Sequence, residues 1–492
     1  MTLSRLASVT IALVTSGTLL APATMAASER GPAPSRSSAA GVPRVELVAA
    51  QNQITISSTG GLVYIDPGIW VASVGASLEF RVWRSSYTRP IRIAQVLNAA
   101  AGRSRLRPLP GTVLPAVPIG LTDFISLTVR DAAGAIVSNQ PIVFCPNSAE
   151  PEKLTPNAPG SSPFPPLCAA DPFPLSQVWG IEKDWAVDPL ANYQVPVQLN
   201  PGTYRVTESI TRTYTRLFNI PPADAVKTVK VTVVGAADRH GQSLSRPGQA
   251  RNRSLPSGSR VPYMANPPVS ALPDLVALPS WGIGTSHQSG QDLLNFSATV
   301  WVGGNGPLDI EGFRVPGTPV MKAYQYFWRN GRLIGRVGVG TMGFYNYNHW
   351  HFEQFAQYTL LNSDKKIAVR SHKVGFCIAP SDPVDLLAAH AVWQPSSTGL
   401  AGHCGSPTAL WVREMLPVGW GDTYIQYLVG QSFDITKVPN GTYYIEIIAN
   451  PLGVIRETTR ANDISLRKVI LGGKPGNRTV AVPAWDGIDP EG

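Results

Sequence analysis

From position 45 to about position 235 the chain alternates short apolar runs with Pro, Gly and Asn turns. Nowhere does it carry the ~3.6-residue apolar spacing of a long amphipathic helix. The runs 53–57, 78–83, 124–130, 141–144, 202–207 and 226–234 predict strands, and their close spacing predicts an antiparallel, immunoglobulin-like sandwich. The stretch 146–174 is too rich in proline for anything but irregular backbone. After a Ser/Gly/Pro-rich interval the pattern resumes: 272–276, 293–302, 323–328, 352–361, 368–377, 423–428 and 442–449 again predict strands. Gly441-Thr442-Tyr443 echoes Gly202-Thr203-Tyr204, and both read as a turn leading into a buried strand. The expected fold class is all-β: two β-sandwich-like domains, 45–235 and 271–486, joined by a basic linker at 236–270.

At 492 residues the chain is long enough for two or three cores. Arg5, the apolar run from Leu6 to Leu20 and the small residues around Ala26 predict a signal peptide over 1–26, followed by a disordered stretch over 27–44. The mature protein is expected to be secreted, either released or loosely associated with the cell wall. No later run approaches the ~18–20 apolar residues of a spanning helix, so no membrane span is expected.

Four cysteines in an exported chain make two bridges the simplest arithmetic, and nearest-neighbour pairing gives Cys145 with Cys168 and Cys377 with Cys404. A CxxC metal site is excluded by the spacings. The net charge of +9 arises from 41 basic and 32 acidic residues, with Arg239, Arg246, Arg251, Arg253 and Arg260 gathered in the linker. Such a run is first a solvated linker; a secondary reading is attraction to an anionic cell-wall polymer or an acidic protein. No aromatic residues interleave with these arginines, so nucleic acid is not an expected partner.

Three segments carry candidate chemistry: Asn348-His349-Trp350-His351-Phe352, Ser371-His372-Lys373-Val374-Gly375-Phe376-Cys377 and Trp420-Gly421-Asp422-Thr423-Tyr424. On a strand, His349 and His351 share a face, and two adjacent imidazoles suit copper or zinc. Taken singly, each feature has a plainer explanation: a hydrogen-bonded surface pair for the histidines, a solvated lysine for Lys373, a core phenol for Tyr424. Around them, in consistent order, stand Pro273-Asp274-Leu275-Val276, Leu294-Asn295-Phe296-Ser297, Gly304-Asn305-Gly306, Tyr358-Thr359-Leu360-Leu361, Phe433-Asp434-Ile435-Thr436, Asn440-Gly441-Thr442-Tyr443 and Ala449-Asn450-Pro451, with Glu457 and Asn462-Asp463 at the close.

In wording and order this stretch, roughly 272–471, resembles the catalytic domain of the lysyl oxidase family. These are copper amine oxidases that build a lysine tyrosylquinone cofactor from their own side chains. The resemblance implies Lys373 and Tyr424 as the cofactor precursors. A phenol near Cu(II) and oxygen is oxidised to a quinone, and a neutral lysine amine adds to the electrophilic ring. The implied activity is oxidative deamination of primary amines, peptidyl lysine among them, to aldehydes with release of ammonia and hydrogen peroxide.

Where the animal enzymes carry three alternating histidines, this chain has Tyr347, His349 and His351. The third metal ligand is then Tyr347 or a histidine from elsewhere: His240, His287, His372, His390 or His403. On a strand, His372 would point away from Lys373. Asp422, on the Tyr424 face, and Glu353, on the His351 face, are the candidate general bases. The competing class of function is a catalytically inactive lysyl oxidase-like β-sandwich protein serving adhesion or cell-wall binding.

Overall fold

A computed structural model describes residues 41–58, 61–98, 104–190, 195–235, 261–344, 349–373, 375–395 and 404–491. The expected signal peptide, most of the disordered stretch and the arginine-rich part of the linker lie outside these residues, as do Tyr347, His240 and His403. The described chain is all-β. Its one α-helix, Arg212–Leu217, is six residues long, and no described helix is long and apolar enough to cross a membrane.

The N-terminal half builds two four-stranded sheets, a two-stranded ribbon and a five-stranded sheet. In the five-stranded sheet, Val226–Gly235 pairs antiparallel with Gly202–Ile210 and parallel with Gln53–Ser58. Its alternation shows why the chain folds this way: Val229, Val231 and Val233 point inward while Thr228 and Lys230 face water. These strands enclose one hydrophobic core between Val45 and Val233.

The C-terminal half has one six-stranded and two five-stranded sheets around a second core. At its centre runs Gln291–Gly304, buried on both faces from Phe296 to Gly303 and paired with other strands along its edges. Phe296 stacks on Phe433 at 4.7 Å and meets Tyr358 edge-on at 5.4 Å. The strand Gly441–Ala449 again alternates, with Tyr443, Ile445, Ile447 and Ala449 inward.

The Pro-rich stretch 146–174 is irregular apart from the two-residue strand Glu152–Lys153, and it joins the two halves. Phe164 and Val178 belong to the C-terminal core. The Asp382 carboxylate accepts the Ala170 and Asp171 amides at 3.1 and 2.9 Å, and Leu175 N–H donates to the Val384 carbonyl at 2.8 Å. Asp382–Pro383 itself pairs with Trp420–Tyr424, so the N-terminal half reaches to within one strand of Tyr424. The end of the expected linker is also engaged: Met264 N–H donates to the Arg336 carbonyl at 2.8 Å.

Three predicted strands are shorter than their apolar patterns. The run 352–361 is broken into Trp350–Phe352 and Ala356–Leu361 by a turn at Glu353 and Gln354. The run 368–377 becomes Ile367–Arg370 followed by irregular backbone, because the Ser371 hydroxyl bonds to the main chain of Gly430 and Lys373 in place of a strand ladder. The third strand, Trp420–Tyr424, ends where the chain turns into the loop beginning at Ile425.

Candidate functional site

The histidine strand Trp350–Phe352 is held on both edges. On one side Met342, Gly343 and Phe344 pair with Phe352, His351 and Trp350. On the other, Phe352 and Phe376 exchange backbone hydrogen bonds at 2.8 and 3.0 Å, and Trp350 N–H donates to the Cys404 carbonyl at 2.9 Å. Trp350 and Phe352 point into the core, which turns His351 to the opposite face beside His349; their rings lie 4.6 Å apart. Burial, the neighbouring His349 and the Lys373 ammonium push His351 down to about 3, so its imidazole is neutral at ordinary pH.

Lys373 lies in the irregular backbone after Arg370. Ser371 Oγ donates to the Gly430 carbonyl at 2.9 Å and accepts the Lys373 amide at 3.1 Å, which fixes the chain so that His372 is exposed and Lys373 is buried. The expected opposition of these two side chains holds although the segment is not a strand. Gly375 permits the next contact: a Cβ there would meet His351 Cβ at 2.7 Å, so only glycine lets this backbone run against the histidine.

Tyr424 ends the strand Trp420–Tyr424, which pairs with Gln291–Gly304. Its hydroxyl accepts the Cys377 amide at 2.8 Å and donates to the Cys377 carbonyl at 3.2 Å, while its ring stands edge-on to Phe376 at 5.2 Å. Cys377 is bridged to Cys404, and Cys145 to Cys168, with Cα separations of 5.7 and 6.1 Å, as the sequence predicted. The bridge therefore ties the residue that holds Tyr424 to the residue that holds Trp350. Within this frame Lys373 Nζ sits 4.2 Å from the Tyr424 ring centroid and 5.3 Å from that of Phe376.

Desolvation pulls the Lys373 ammonium down to about 8, against an upward pull from Asp422. The same burial, with Asp422, Tyr358 and Glu414 nearby, pushes the Tyr424 phenol up and keeps it protonated. Asp422 is buried on the Tyr424 side of its strand; desolvation raises its carboxyl well above the usual range, partly offset by Lys373. Its Oδ2 has no hydrogen-bond partner among the described residues. Glu353, by contrast, lies in the turn and accepts the Thr341 hydroxyl at 3.2 Å, so it does not share a strand face with His351.

Glu414 was not among the expected residues. It is fully buried, accepts the Ile378 amide at 3.1 Å, and has its carboxyl raised by desolvation. The signal was present in Trp411-Val412-Arg413-Glu414-Met415-Leu416, where Glu414 occupies the inward register between Val412 and Leu416.

Two imidazoles on one face, one of them buried and neutral, fit a borderline-soft ion such as copper. Among the described residues no group of three or more His, Cys, Asp or Glu side chains is arranged to hold a metal. His287 bonds to Asp292 at 2.8 Å and His390 is exposed, so neither joins the pair. The remaining position of the expected set, Tyr347, lies outside the described residues.

The all-β scaffold thus packs the Lys373 amine over the Tyr424 ring, close to the histidine pair. Residues 344–477 match the family model described as lysyl oxidase, and this part of the chain is a lysyl oxidase-family domain. The match contains all three chemistry-bearing segments. It begins at Phe344, after several strands that build the same core. No curated protein matches the chain.

Proposed function

We propose that the protein is an exported copper amine oxidase that converts primary amines, including the side chain of peptidyl lysine, to aldehydes. The observation that carries this reading is the 4.2 Å approach of Lys373 Nζ to the Tyr424 ring, made by residues far apart in sequence. Copper with dioxygen would supply the oxidising power that turns this lysine and tyrosine into a quinone and regenerates it after each turnover. His349 and His351 would hold the metal, with Tyr347 as the third donor.

The chain's own residues account for the rest. The Cys377 main chain grips the Tyr424 hydroxyl and sets the orientation of the ring. Burial keeps a share of Lys373 as the neutral amine that can attack an electrophilic ring. Asp422, whose proton affinity is raised by burial, would take the proton from the carbon bearing the substrate amine. In the overall balance the amine loses two electrons and dioxygen accepts them as hydrogen peroxide; water supplies the aldehyde oxygen and nitrogen leaves as ammonia. The two disulfides support an oxidising compartment.

A second reading, a binding domain without turnover, is favoured by the two-imidazole donor set among the described residues. Copper-reconstituted protein offered n-butylamine separates the two. The oxidase reading expects peroxide release and a coloured hydrazine adduct, both abolished in Lys373→Ala and Tyr424→Phe. Copper-loaded wild-type protein that gives neither signal sinks it.

A further inference from the structure

The strand that delivers Tyr424 continues into a tight loop, Ile425 to Gly430, whose two ends rest on the proposed cofactor pair. It leaves from Tyr424 and returns at Gly430, where the backbone is left-handed (φ +86°) and a Cβ would lie 3.3 Å from Lys373 Cδ. The loop is locked in place. Gln426 N–H donates to Ser297 Oγ at 3.0 Å, Leu428 N–H to the Ile425 carbonyl at 3.0 Å, and the fully buried Gln431 amide to the Tyr424 carbonyl at 2.9 Å.

What this rigid loop presents to water is apolar. Ile425, Tyr427, Leu428 and Val429 are 38, 84, 46 and 71% exposed, and no charged residue occurs from Thr423 to Phe433. Turns are ordinarily polar, because exposed apolar side chains gain nothing from being held out of a core. A contiguous apolar patch beside a reactive centre is the usual mark of a recognition surface, and its pre-ordering lowers the entropy cost of binding.

We propose that this loop is the docking surface for a polypeptide substrate, and that it selects lysines flanked by apolar residues. The proposal rests on the oxidase reading and adds to it the surface that chooses among lysine sites. A lysine side chain presents its amine at the end of an aliphatic stem, so the chain that carries it stays within reach of the loop while the amine approaches the Lys373 and Tyr424 pair. A small free amine has nothing to lay on Tyr427 or Val429. A membrane surface fits less well, since the loop carries no lysine or arginine to meet anionic headgroups.

The test uses the full chain and two fluorescent peptides with one central lysine, flanked either by Ala, Val and Leu or by Ser, Gly and Gln. Fluorescence polarisation without copper measures docking independently of turnover. Peroxide release with copper then compares each peptide with n-butylamine. The apolar-flanked peptide is expected to bind about tenfold more tightly, as the burial of two partly exposed side chains would give. The double variant Tyr427→Ser, Val429→Ser is expected to lose that preference and to lower the ratio of peptide to n-butylamine kcat/KM.

Equal affinity for the two peptides, or a preference that survives the double substitution, overturns the proposal. So does loop-dependent sedimentation with phosphatidylcholine vesicles in the absence of peptide preference. Copper-loaded protein that oxidises neither peptide nor n-butylamine removes the oxidase reading, while the polarisation comparison still decides what the loop binds.

Discussion

Replacing Gly375 by alanine perturbs the site at the point where its two halves touch. The added Cβ would lie 2.7 Å from His351 Cβ and 3.3 Å from its Cγ and Nδ1, where ordinary contact begins near 3.4 Å. The closest pair is therefore roughly 0.7 Å too short, an overpacking of the kind that costs about 1–3 kcal/mol. No flexible tip can absorb it. His351 Cβ is fixed by pairing to Gly343 on one edge and by the bridge between Phe352 and Phe376 on the other. The strain should thus open the seam between the histidine strand and the lysine segment, displacing His351 relative to Lys373. At about 2–4 °C per kcal/mol for a domain of this size, the melting temperature should fall by several degrees. Copper affinity should fall at least tenfold, read by competition with a chromophoric chelator. Gly338→Ala is the control, since a Cβ there meets nothing within 4 Å. A Gly375→Ala protein indistinguishable from that control in melting and copper uptake would refute the argument that this glycine sets the site.

Replacing Cys377 and Cys404 together by serine opens a bridge of sequence separation 27, worth about 3–4 kcal/mol by the chain-entropy model. The denaturation midpoint of the protein should drop accordingly, and an unchanged midpoint would show that the bridge does not hold the segment. A further test concerns Glu311, whose carboxyl is pushed up to about 7 by burial and by the adjacent Asp309, from an ordinary value of 4.5. Because the folded protein holds this proton more tightly than the unfolded chain, the stability it contributes below pH 4.5 is lost as pH rises toward 7 and stays lost above it. Glu311→Gln keeps an acceptor for Trp411 Nε1 and should stabilise the protein by about 1–3 kcal/mol at pH 8 relative to wild type, with the gain shrinking toward pH 5. Urea unfolding at both pH values measures it; a constant difference between the two proteins would contradict the assignment.

Much of the site was legible because strand geometry has a period of two. His349 and His351 do meet on one face, and Asp422 shares the Tyr424 side, as alternation requires. Cysteine arithmetic gave both bridges because each closes a local loop. What escaped the sequence depends on contacts remote in the chain. Lys373 sits off any strand because Ser371 bonds to Gly430, and nothing near Ser371 announces that partner. Glu414 hides in a strand whose pattern reads as alternating only once Trp411 is known to face outward. Phe164 fills the C-terminal core from a Pro-rich stretch without periodicity, so the coupling of the two halves through Asp382 could not be read ahead. The loop from Ile425 looked like a continuing strand because its exposed apolar residues imitate a buried run.

The central claim is that the fold holds Lys373 against Tyr424 so that the two become one cofactor, and peptide mapping tests it most directly. The full chain is loaded with copper, exposed to air, reduced at its disulfides, digested and analysed by tandem mass spectrometry. The account predicts that the peptides bearing Lys373 and Tyr424 are recovered as a single cross-linked species, absent from copper-free protein and from Tyr424→Phe. Recovery of both peptides separate and unmodified from copper-loaded, air-exposed wild-type protein would contradict it.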